Sequence, residues 1–109
     1  MSKKISFEEA YAQASYEALR ILGAVVSKIV TDYLQTRYSI DITKTANNPA
    51  ALDEALEHAI DGGRIIVERR IVNLLYEKLN LESLIVKENN KNSFSFEQKV
   101  NEGRQRFST

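Results

Sequence analysis

The 109-residue sequence contains no cysteine, and that absence removes disulfides, thiolate nucleophiles, sulfur-ligated zinc and iron–sulfur clusters together. It has no net charge either, because fifteen basic residues balance fifteen acidic ones. No overall field therefore draws nucleic acid or an anionic membrane to it without specificity. Long apolar runs are also missing: no stretch approaches the roughly 18 residues of a membrane span. Met1 to Lys4 is followed by Ile5, Ser6 and two glutamates rather than by the apolar core of a secretion signal. We read the chain as cytoplasmic, with no membrane partner.

What is present is a folding composition, 43% apolar and 28% charged, on a length that supports one core and not two. Residues 1–109 are read as a single helical domain. Ser6-Phe7-Glu8-Glu9 is a capping box, so a helix starts there. Phe7, Tyr11, Ala14, Ala18, Leu22, Val25, Ile29 and Tyr33 then recur at spacings of three or four, which places them on one inner face. A second apolar row, Leu19, Leu22, Val26, Ile29 or Val30, and Leu34, makes the later half apolar over more than one face.

An unbroken helix from Phe7 to Arg37 is about 46 Å long at 1.5 Å per residue. A compact chain of this size is only roughly 34 Å across. Either the helix breaks near Gly23, or a second subunit covers the overhang. We favour the second subunit and predict a homodimer whose interface includes Leu19, Leu22, Gly23, Val26, Ile29, Val30 and Tyr33.

Tyr38 to Asn48 reads as a linker containing a short extended stretch over 39–43. Asn48-Pro49 is an N-cap with proline at the first helical position, and it opens a helix running to about Asp61, with Leu52, Ala55, Leu56, Ala59 and Ile60 inward. Gly62-Gly63 predicts a left-handed cap and a tight corner. The next helix, about Arg64 to Asn80, carries Ile66 or Val67, Ile71, Leu74, Leu75 and Leu79 inward and Arg69, Arg70, Glu77 and Lys78 outward. Residues 87–94 read as a flexible linker. Beyond it, Ser95-Phe96-Glu97-Gln98 caps a C-terminal docking helix over 95–107, with Phe94, Phe96, Val100 and Phe107 as the docking residues. The expected fold is all-α: one long N-terminal helix packed with a helical pair, plus a short C-terminal helix on a flexible linker.

Chemistry-bearing patterns are sparse. His58, with Glu54 four residues before and Asp61 three after, shares a helical face with two carboxylates, but the spacing is not that of a carboxylate-bridged metal site. Glu8-Glu9 and Asp53-Glu54 are explained by their places in first helical turns. No Gly-x-Ser-x-Gly is present, and Gly62-Gly63-Arg64 lacks the lysine and spacing of a phosphate loop. We therefore assign no catalytic, cofactor-binding or metal residue. Arg64, Arg69, Arg70 and Lys78 form a candidate basic face on a helix-turn-helix. Residues 49–82 nevertheless carry seven acidic against four basic residues, which counts against nucleic acid.

Several of these residues together resemble a small archaeal helical family, the Nitrosopumilus output domain of the fifth type. They are Leu22-Gly23, the aromatic end at Tyr33-Leu34 and Tyr38, and the leucine helix Leu52 to Leu56. The Gly62-Gly63 corner, Val67-Glu68 with Ile71, Leu75-Tyr76, and Phe96 with Val100 complete the likeness. The resemblance implies an archaeal setting and a signalling or regulatory role exerted through contacts, in a stand-alone form without receiver or sensor. The leading expectation is thus a small homo-oligomeric interaction or regulatory module without catalytic activity, able to take a protein partner. A DNA-binding regulator is the alternative, and a small enzyme with an unrecognised site the third.

Overall fold

The structure, a computed structural model, describes residues 5–81 and 95–108. The first helix, α1 (Phe7–Leu19), begins at the expected capping box: the Glu9 amide donates to Ser6 Oγ at 3.0 Å and the Ser6 amide to Glu9 Oε1 at 3.1 Å. Its inner face, Phe7, Ala10, Tyr11, Ala14, Ser15 and Ala18, is buried, and the small residues let a neighbouring helix approach closely.

The single long helix does not form. Residues Arg20–Leu22 tighten into a 3-10 turn, and Gly23 follows at φ 89° and ψ 159°, backbone space that essentially only glycine enters. The Gly23 amide donates back to the Arg20 carbonyl at 2.9 Å, closing the turn, and the Gly23 carbonyl accepts from the Ser27 amide, opening α2 (Ala24–Tyr38). The elbow fits the chain into 36 × 36 × 23 Å, so the overhang that argued for a second subunit is absent. It also resets the helical phase by roughly a third of a turn. In α2 the buried side chains are Val30 and Leu34, whereas Val25 and Ile29, expected inward, face solvent.

After α2, Asp41 accepts from the Thr43 hydroxyl (2.6 Å) and amide (3.0 Å), which holds its carboxyl below the usual range. These bonds start a 3-10 turn, Ile42–Lys44, where an extended stretch was expected, and turn Ile42, Thr45 and Ala46 inward. Thr45 Oγ1 donates to the Ile42 carbonyl at 3.1 Å, so the Tyr11 hydroxyl donates to Thr45 Oγ1 at 2.7 Å. Burial pushes that phenol up to about 12.

The next helix, α3 (Pro49–Ile60), starts as expected on Asn48 Oδ1, which accepts from the Ala51 amide at 3.3 Å. Its exit differs. Asp61, not a glycine, takes the positive φ of 48°, with ψ at −121° and so outside the left-handed helical region, and Gly62 and Gly63 complete a 3-10 turn. α4 (Arg64–Lys78) follows and lies against α1, α3 and α5 (Phe96–Ser108). This central position buries Val67, Ile71, Val72, Leu74, Leu75 and Tyr76, and it places Val67 rather than Ile66 inside.

The C-terminal helix starts at Ser95, whose Oγ accepts from the Gln98 amide at 3.3 Å, and packs across α3 and α4 with Phe96 and Val100 buried. Phe107 is half-buried against the same core. Phe94 and the expected linker, 87–94, lie outside the described residues. The fold is all-α, without a strand among the described residues, and no helix there is long and apolar enough to cross a membrane.

Candidate interaction surface

Two features remain once the core is accounted for: an apolar outer face on α2 and the elbow, and an acid buried beneath α5. The outer face follows from the phase reset at Gly23. Val25 is 73% exposed, Ile29 61%, Ile21 55% and Val26 44%, and Ile66 of α4 is 59% exposed. Ile21 and Ile66 share a shallow pocket of about 430 Å³ with Ile65, Arg69, Arg70 and Asn73. On the other side of the elbow, Tyr16 and Arg20 line a second hollow with Ala24, Ser27, Lys28, Thr31 and Asp32. The Arg20 guanidinium sits 6.0 Å from the Tyr16 ring centroid, and Lys28 pairs with Asp32 at 3.2 Å one turn along α2.

The structure divides the expected interface. Leu19 and Val30 are buried in the chain's own core, and Leu22 and Tyr33 pack against it. Gly23, Val26 and Ile29 are exposed, and Leu22 and Tyr33 are only partly buried. Ile21, Val25 and Ile66 belong to the outer face and were missed as such. The spacing Ile21-Val25-Ile29 marks one stripe in the sequence, but its side of the helix depends on the elbow. Of the candidate basic face, Arg64 bonds Asp53 and Lys78 bonds Glu17, while Arg69 and Arg70 rim the apolar pocket. His58 is exposed and stacks beside Tyr38 at a centroid distance of 6.1 Å. Among the described residues, no group of three His, Cys, Asp or Glu side chains is arranged to hold a metal ion.

The buried acid is Glu68, on the face of α4 that meets α3 and α5. It is fully buried, and as a carboxylate neither of its oxygens finds a donor. The nearest cation, Arg64 Nη1, stands 3.6 Å from Glu68 Oε1 but is committed at 2.6 Å to Asp53 Oδ1. Burial, and then the Asp53 carboxylate beside it, push the Glu68 carboxyl up to about 9. The side chain is thus neutral at ordinary pH, with the Asp53 carboxylate beside it as the group able to accept its proton. A polar cavity of about 250 Å³ adjoins it, lined also by Ala50 and by Ser95, Phe96 and Glu97 at the start of α5. The periodicity of α4 puts position 68 beside Val67 and Ile71 on the inner side, yet nothing in the sequence marks it as neutral.

Comparison with protein-family profiles, with curated proteins and with solved structures finds no match to this chain.

Proposed function

We propose that this protein is a small regulatory or interaction module that acts through contacts rather than catalysis, and that it self-associates through the outer face of α2 and the elbow. The supporting observation is the set Ile21, Val25, Val26, Ile29 and Ile66, aliphatic side chains left 44–73% exposed on neighbouring elements. Single exposed aliphatics are ordinary, but contiguous patches beyond a few hundred Å² mark interfaces. α2 supplies most of the patch because it packs chiefly on α3 and buries only Val30 and Leu34. A second copy is the favoured occupant because the stripe Ile21, Val25 and Ile29, spaced four residues apart, can pack on its own symmetry mate, while the rim cations Arg20, Lys28, Arg69 and Arg70 have Asp32 of the other copy to meet. A signalling sense rests on the residue likeness to the archaeal output domains alone.

The test is the solution mass by light scattering at micromolar concentration. Twice the chain mass for the native protein, falling to one chain mass in Ile29→Asp and Val25→Asp with helicity unchanged, is the expected result. A single-chain mass for the native protein would overturn the reading.

A further inference from the structure

A buried carboxyl group without a donor is costly as an anion, and a fold that keeps one must keep its proton too. Glu68 is in that position: the nearby cation, Arg64 at 3.6 Å, is shared with Asp53 and outweighed by the acids around it. From α3, Asp53 and Glu57 face it, both acidic. From α4, the Arg64 guanidinium is bonded to Asp53 and stands beyond hydrogen-bond reach of Glu68. From α5, Glu97 lines the same cavity, and from α1 the neutral phenol of Tyr11 lies within electrostatic range. The arrangement that balances is a chain in which neutral Glu68 donates to Asp53 and Asp53 accepts from Arg64.

The element that closes this site is α5. Its first turn, Ser95 to Glu97, forms the cavity wall opposite Glu68, and Phe96 beside it is buried. A thirteen-residue helix is marginal alone, so α5 depends on being seated. We propose that α5 is a proton-held latch: it stays on α3 and α4 while Glu68 is a neutral acid donating to Asp53, and it comes away when Glu68 loses that proton. Releasing α5 admits water to the new carboxylate, separates it from Glu97, and uncovers the Tyr76 ring that Gly103 and the Lys99 carbonyl otherwise meet.

The experiment is amide hydrogen exchange on the full chain between pH 6 and 8.5, corrected for the intrinsic pH dependence of exchange. Release coupled to one proton weakens docking by up to about tenfold per pH unit while Glu68 is ionised only in the released state. Protection of residues 97–108 is therefore expected to fall by close to tenfold per unit and to lie below that of α1 throughout. In Glu68→Gln, whose amide keeps a donor for Asp53, the α5 protection is expected to be flat with pH. Asp53→Asn, which removes the neighbouring carboxylate and frees Arg64 to pair with Glu68, is expected to reduce the slope. The same slope in Glu68→Gln as in the native chain would overturn the proposal, as would α5 amides that exchange only with α1 in global unfolding.

Discussion

The Tyr76 hydroxyl donates a 2.6 Å hydrogen bond to the main-chain carbonyl of Lys99, so a side chain of the central helix grips the backbone of α5. The bond joins residues 23 apart in sequence, and burial pushes the phenol up to about 12, so it stays a donor at any ordinary pH. A net hydrogen bond of this kind contributes on the order of 1 kcal/mol. Tyr76→Phe is expected to lower stability by about that amount, checked by urea denaturation, with faster amide exchange in α5 and little change in α1.

The same ring sets how near α5 can come. A Cβ placed on Gly103 meets Tyr76 Cε1 at 2.8 Å, closer than real contacts allow. Because Tyr76 is fully buried, its ring has little room to yield. Gly103→Leu is expected to force the helices apart and cost about 1–3 kcal/mol, the range of overpacked cores. Chemical denaturation measures it, and a variant as stable as the native chain would show that the two helices separate at no cost.

At the elbow, Gly23 meets no atom within 4 Å of a built Cβ, so a substitution there is limited by backbone geometry and not by space. Its φ of 89° strains any side-chain-bearing residue. Gly23→Ala is expected to destabilise by about 1–3 kcal/mol even though alanine favours helix elsewhere. A rise in the thermal midpoint of Gly23→Ala would mean that the chain tolerates a straight helix through this point.

Glu68 gives the fold a pH dependence of definite sign. Its carboxyl lies at about 9 in the folded chain against an ordinary value of 4.5, so between those values the folded state binds a proton the unfolded state has released. Stability falls as pH rises through that window, by up to about 1.4 kcal/mol per unit, and the contribution is unaffected below it. Glu68→Gln removes the term. The variant is expected to be more stable than the native chain by about 2–3 kcal/mol at pH 7, with the difference vanishing near pH 4. Urea denaturation at the two pH values measures it, and a variant less stable at pH 7 would contradict the assignment.

Arg104 ties α5 to the turn before α3 and to the start of α1. Its Nη2 donates to the Ala46 carbonyl at 2.6 Å and to Asn47 Oδ1 at 3.1 Å, and its guanidinium lies 4.5 Å from the Phe7 ring centroid. Lysine lacks the planar fork that reaches all three at once. Arg104→Lys is expected to lower stability by about 1 kcal/mol, read in the same titration, the loss of one charge-assisted bond to a partly buried carbonyl.

What the sequence determined by itself is local. Ser6 with Glu9, Asn48 with Pro49, and Ser95 each announce a helix start because the capping groups lie within three residues of one another, and all three starts are where they were expected. The inner faces of α1, α3 and α4 are legible for the same reason, since a helix of constant phase carries its buried stripe along with it. Tertiary structure decided the rest. Whether Gly23 continues a helix or breaks it depends on what each half packs against, and that choice turned Val25 and Ile29 outward and Val30 inward. Position 61 rather than 62 takes the positive φ, in a corner after which α4 lies on α1, and the Gly62-Gly63 dipeptide does not contain that geometry. The neutrality of Glu68 depends on α3 and α5 closing over it, and a side chain's proton affinity follows its surroundings in space, not its neighbours in sequence.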